Sequence, residues 1–222
     1  MAVIEGGVSA ALMGVGAESA SPGHVTAKPI PYGALGHYRV NHRVAIVASQ
    51  AANSRLFEVQ NSSATNLIIP TRLTIKWQHT SIHTAAIEDS LDVFKCTSFT
   101  AVDTVNTVTP TTSRKRTSMA AAPGAANLRG VTIAGAAAGM TGGTLTKDGG
   151  SIAQLPQWML LAQPTAGLVP FAVLDVFDDV NGTHPFVFAQ NEGLIVENRV
   201  LLGLAAGSTV YIDFSWCEAT AY

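Results

Sequence analysis

The sequence predicts an all-β fold, a β-sandwich. Residues 43–78 and 184–218 alternate apolar and polar side chains, and Asn-, Gly- and Ser-rich turns separate the alternating stretches. The run Ser208–Glu218 is the clearest: Val210, Ile212, Phe214 and Trp216 share one face, and Thr209, Tyr211, Asp213 and Ser215 share the other. Side chains of an extended chain point alternately to opposite sides, so this pattern marks a strand with one buried face.

Residues 1–40 precede the first strand block. They are rich in Gly, Ala, Ser and Pro, with Pro22, Pro29 and Pro31 placed to break helices, and read as an extended N-terminal arm with at most a short helical turn at Val8–Met13. Ordering such a segment costs about 1–2 kcal/mol of backbone entropy per residue, so a neighbouring chain is expected to hold it. No signal peptide is expected, because no basic n-region is present, Glu5 interrupts the apolar start and no cation precedes Lys28.

The β-sandwich domain is expected over 41–222. His42–Ser49 and Arg55–Gln60 form its first strands, the latter with Phe57 and Val59 on one face and Glu58 and Gln60 on the other. Asn61–Asn66 is a turn by composition. Leu67–His79 follows with Leu73, Ile75 and Trp77 inward, and Pro70 marks an edge or a bulge. A loop turn at Ile87–Leu91 leads to a strand at Asp92–Val102.

Thr, Ala and Gly dominate residues 103–155. That is too long for an ordinary connection, so the segment is taken as an insertion lying against another subunit, with short strands at Leu128–Ala134 and Gly143–Thr146. Trp158–Leu161 and Phe171–Phe177 reopen the strand pattern, the second apolar enough for burial on both faces. Asp178–Gly182 is a hairpin turn carrying Asn-Gly. Phe186–Ala189, Gly193–Asn198, Arg199–Leu202 and Ser208–Glu218 complete about nine strands, a number and spacing that point to a sandwich or jelly roll.

Charged residues make up 13% of the 222 residues and apolar residues 47%, against about 25% charged in ordinary soluble domains. So little charge implies surface buried against neighbours. The net charge of −2 and pI near 6.3 argue against a nucleic-acid surface. The one basic cluster, Arg114-Lys115-Arg116, reads as a solvated loop. Nothing in the sequence reaches the ~18–20 apolar residues of a membrane span.

Candidate chemistry is sparse. His79 and His83 have a spacing that suits a metal on a helix, but they flank a strand end and lack a third ligand. Asp175, Asp178 and Asp179 sit around one turn where Ca²⁺ is conceivable, yet Asp is common in turns because it bonds its own backbone. Cys96 and Cys217 have no metal-ligand neighbours and are expected as free thiols. No phosphate cradle, Gly-x-Ser-x-Gly or His-Glu-x-x-His is present. The sequons at Asn61 and Asn181 read as coincidental, and Tyr32, Tyr38 and Tyr222 as exposed contact aromatics. No catalytic residue, cofactor or metal is assigned.

The segment His184–Arg199, with Asn191-Glu192-Gly193, and the following Ala-Ala-Gly-Ser-Thr turn and strand ending in Trp216-Cys217-Glu218 resemble the closing strands of tailed-bacteriophage virion structural proteins. The resemblance implies a non-enzymatic, jelly-roll-like subunit of a particle and carries over no functional residues. The expected function is a capsid decoration or cement protein located in the virion. Its expected partners are copies of itself in a homotrimer and the major capsid protein, with no direct nucleic-acid or membrane contact. The alternative is a receptor- or carbohydrate-binding module on the tail, collar or fibre.

Overall fold

The computed structural model describes residues 3–4, 13–14, 35–46, 50–79, 87–108, 124–134, 139–140, 142–159, 171–177, 185–199 and 208–220. Its elements are β1 (Val3–Ile4), β2 (Met13–Gly14), β3 (Gly36–Ile46), β4 (Ser54–Asn61), β5 (Leu67–His79), β6 (Ile87–Ala101), β7 (Ala126–Gly130), β8 (Ile133–Ala134), β9 (Thr144–Lys147), β10 (Ala153–Met159), β11 (Phe171–Asp175), β12 (Gly193–Asn198) and β13 (Ser208–Ala219). The protein is all-β. β1 and β2 pair with each other, and the remaining strands form two sheets.

One sheet runs β11-β5-β13-β3-β8 and the other β10-β6-β12-β4-β7, with β9 also on β6. All pairings are antiparallel except the short β3–β8 contact. Eight of the strands nest first with last: β3 pairs β13, β4 pairs β12, β5 pairs β11, and β6 pairs β10. The two strands nearest the C-terminus, β12 and β13, therefore occupy the middle of the two sheets.

One apolar core fills the space between the sheets. Val44, Ile75, Trp77, Ile212, Phe214 and Trp216 enter it from one side, and Phe57, Val59, Val93, Leu194 and Val196 from the other. Phe57 and Phe214 meet across it at 6.3 Å. Alternation places these residues: in β13, Val210, Ile212, Phe214 and Trp216 are buried while Tyr211 is exposed. The register of β13 against β5 shifts between Ser215 and Trp216, opposite Pro70, so the bulge expected near that proline is present. A bulge spares the sheet a donor that proline lacks.

Several expectations are corrected. β3 begins at Gly36 rather than 42, so residues 36–40 belong to the sheet and not to the arm. His42, a polar residue facing inward, interrupts the apolar series in the sequence. In the fold its Nε2 meets the Val131 carbonyl oxygen at 2.7 Å, which satisfies it. Tyr38 is buried rather than exposed and stacks on Trp216.

Residues 87–91 are not a loop but the first part of β6, held by pairing with β10. β10 itself starts at Ala153, earlier than expected. β11 is an edge strand, and its Val173 is 47% exposed, so it is not buried on both faces. Residues 186–189 make only the isolated bridge Ile68–Phe188. The described parts of 103–155 supply β7, β8 and β9 to this chain's own sheets.

The greater part of the Val8–Met13 turn lies outside the described residues, as do the 178–182 hairpin turn, residues 200–202, Tyr32, Tyr222, Arg114-Lys115-Arg116 and Asn181.

Candidate functional site

The outer faces of the two sheets differ. On the β4/β6/β12 sheet the chain covers itself. Ile195, Cys96 and Phe99 are buried there beneath Val102 and Leu145. Charged side chains are buried with them, and a buried charge is tolerated only when paired and hydrogen-bonded.

Glu58, fully buried, takes a bond from Arg55 Nη1 at 2.9 Å and from the Asp103 backbone N–H at 3.2 Å. Asp103 Oδ1 accepts the N–H groups of Val105 and Asn106 at 2.8 and 2.9 Å, and its Oδ2 accepts that of Gly142 at 3.1 Å. Arg129 Nε donates to the Asp103 carbonyl oxygen. Lys147 pairs with Glu197 and lies 4.3 Å from the Phe94 ring centre. These bonds pin residues 102–108 and 142 over the sheet.

Burial raises the Glu58 carboxyl above its usual value, with the Asp103 N–H and Arg55 only partly offsetting it. Burial also acts to raise Asp103, but its backbone donors outweigh it and hold the carboxyl below the ordinary 3.8. A depressed acid stabilises the fold above its unfolded value, and that contribution is lost as the pH falls through the folded one. Asp103→Asn is therefore expected to cost about 1–3 kcal/mol at neutral pH. The gap to the parent protein should close as the pH drops below 3.8, as urea melts across pH will show.

Neither cysteine forms a disulfide and both are buried. Burial, followed by the nearby Glu58, pushes the Cys96 thiol up to about 12, so it stays protonated and unreactive.

Glu218 anchors the start of β7. Its carboxylate accepts the N–H groups of Gly124, Ala125 and Ala126 at 2.9, 3.1 and 3.3 Å and that of the Trp216 indole at 3.4 Å. Burial and this carboxylate together raise the Tyr38 hydroxyl. The Trp-x-Glu ending thus joins the last strand to a segment about ninety residues upstream. The Asn-Glu-Gly corner acts similarly. Asn191, at a positive φ of 65°, donates its N–H to Asn61 O at 2.7 Å and receives that of Phe99 at 2.7 Å.

The β3/β13/β5 sheet covers its outer face at one end, where Ile69, Cys217 and Ala219 are buried with Val187 against them, and keeps it open over the middle rows. Arg39 and Arg43 project from β3, Tyr211 and Asp213 from β13, and Arg72 and Lys76 from β5, around an open depression of about 290 Å³ that all but Arg72 line. Arg39 grips Asp213 with two nitrogens, Nε at 2.8 Å and Nη2, which raises the guanidinium pKa further. Arg72 Nε donates to Thr74 Oγ1 at 2.9 Å, and Thr74 donates to Asp175. Tyr211, 38% exposed, stands at the midline. This arrangement can present cations and an aromatic ring to a partner.

The residues singled out for metal are not brought together in what is described. Asp175 is engaged by Thr74, while His83, Asp178, Asp179 and the His79 side chain lie outside the described residues. Among the described residues no group of three His, Cys, Asp or Glu side chains is placed to hold a metal, and no helix is long and apolar enough to cross a membrane. Asn61 is buried and its Nδ2 donates to Asn66 O and Phe188 O at 2.7 and 2.8 Å, which leaves no room for a glycan there.

The fold and surface define an all-β protein of two antiparallel sheets, one outer face self-covered and the other open over its middle rows. Comparison with protein-family models, curated proteins and solved structures finds no match to this chain.

Proposed function

We propose that the chain is a jelly-roll subunit of a tailed-bacteriophage virion, decorating or cementing the capsid as a homotrimer and without enzymatic activity. One observation carries this: the first-with-last nesting of the eight strands β3, β4, β5, β6, β10, β11, β12 and β13. Numbered one to eight, they give sheet orders 1-8-3-6 and 2-7-4-5, the arrangement of a long hairpin rolled into two sheets. Viral capsid domains are among the chief users of that architecture. The low charge content supports burial between subunits, and the Gly/Pro-rich N-terminal arm supplies a segment to lay across a neighbour. A contact of roughly 800 Å² per partner is enough for stable association.

Deleting residues 2–34, which stops short of β3, tests this. The truncated protein should keep its β-sheet circular dichroism and its cooperative melt but lose co-sedimentation with capsids of its own virus. The parent protein should have a solution mass three times the chain's 23.1 kDa. Unfolding on truncation, or undiminished co-sedimentation, would sink the proposal.

A second reading, a carbohydrate-binding module of a tail or fibre, is favoured by one feature. Tyr211 and Asn41 share the open depression with Arg39 and Asp213, and an aromatic ring among polar groups suits a sugar. A glycan array settles this, since selective binding lost in Tyr211→Ala selects the module.

A further inference from the structure

We infer that the outer face of the β3–β13–β5 sheet docks an acidic protein surface through four cations set at the corners of a rectangle. The strand register fixes the corners. Arg39 and Arg72 flank Ser215, and Arg43 and Lys76 flank Tyr211. Two strand spacings separate the flanking residues by about 10 Å, and four residues along a strand separate the two rows by about 13 Å.

Between the rows, Asp213 lies with Asn41 on one side and Thr74 on the other. Asp213 is held by Arg39, and Asp175, beyond Thr74, takes the Thr74 hydroxyl. Among the described residues the face therefore carries four cations, Arg39 paired with Asp213, against two carboxylates, in a chain whose net charge is −2. The half-exposed Tyr211 adds apolar contact area at the midpoint of one row, and tyrosine is favoured at protein contacts for that mix of ring and hydroxyl.

The spacing selects the partner. Acidic residues at i and i+4 of an extended partner strand repeat at the same ~13 Å, so two such strands with one strand between them, ~10 Å apart, meet all four corners. A single acidic sugar meets one row at most. A nucleic-acid backbone laid along the face would run its phosphates over Asp213. The inference stands on the chemistry of this face and goes beyond the virion proposal.

The test passes the full-length protein over immobilised poly-L-glutamate, heparin and single-stranded DNA across a salt series. Retention on poly-L-glutamate is expected to exceed that on the other two and to fall steeply with salt, because exposed ion pairs are screened. Arg43→Glu/Lys76→Glu should weaken it at least tenfold with the melting temperature retained. Arg43→Gln/Lys76→Gln serves the same purpose should the charge reversal impair folding. Arg114→Ala/Lys115→Ala/Arg116→Ala should leave retention unchanged. Absent retention at low salt, stronger binding to heparin or DNA, or a loss caused by the 114–116 variant instead, would each overturn the inference. The probe contains no particle component, so its failure is distinguishable from failure of the virion proposal.

Discussion

Trp216→Ala is expected to lower stability by about 3–5 kcal/mol, the usual loss for a large aromatic removed from a core. Trp216 is fully buried, between the Tyr38 ring at 5.5 Å and the Phe214 ring at 5.2 Å. Its indole N–H also donates to Glu218, the carboxylate that receives three backbone N–H groups of residues 124–126. Truncation thus opens a cavity and loosens the residue that fixes the start of β7. Tyr211, five positions earlier on the opposite face and 38% exposed, should cost well under ~1 kcal/mol as Tyr211→Ala, as surface substitutions do. Urea melts of both variants decide the matter. Equal losses would mean that Tyr211 is buried in the form measured.

Gly193→Ala should be at least as damaging, although it adds one carbon. A Cβ built there would lie 1.8 Å from the Val59 carbonyl oxygen and 3.1 Å from Phe99 Cε2. The first clash is with backbone, which no rotamer change relieves. Residue 193 pairs with Gln60 on one side and Cys96 on the other, so relief requires pushing β4 away from the middle strand of its sheet. The cost should exceed the ~1–3 kcal/mol typical of an overpacked core. Gly149→Ala is the control: nothing lies within 4 Å of a Cβ there, and a smaller unfolded ensemble should stabilise it by about 0.4–1 kcal/mol. A thermal melt showing Gly193→Ala within a degree of the parent would contradict the close approach of Val59.

The strands easiest to read in the sequence were those with one wet face. β5 and β13 alternate cleanly because Arg72, Lys76 and Tyr211 remain exposed. β3 and β4 were harder, because polar residues face covered positions. His42 points inward to the Val131 carbonyl, and Glu58 is sealed beneath residues 102–108 with Arg55. A buried acid looks like a solvent-facing one until its cover is known, and the segment that covers Glu58 and donates the Asp103 N–H is 45 residues away. The nested pairing was equally hidden, since β3 and β13 meet across more than 160 residues. For the open face, Arg39/Arg43 and Arg72/Lys76 each sit at i and i+4 of a strand, which the sequence displays. That both pairs flank one strand, β13, is a fact of topology alone.

The placement of β12 and β13 has a consequence for synthesis. A ribosome that has released everything before residue 193 has made β3, β5, β4 and β6, yet neither sheet has its middle strand. In each sheet such a chain holds two halves with unsatisfied edges facing each other, the condition in which strands recruit foreign partners. Cooperative closure must await β12 and β13, residues 193–219, and contacts so distant along the chain close slowly. Any product cut short before β13, by a premature stop or by a protease, is therefore left without a competent sandwich. Under the virion proposal an assembly would gain a completeness check on every copy, because only a chain that has reached β13 has both sheets closed.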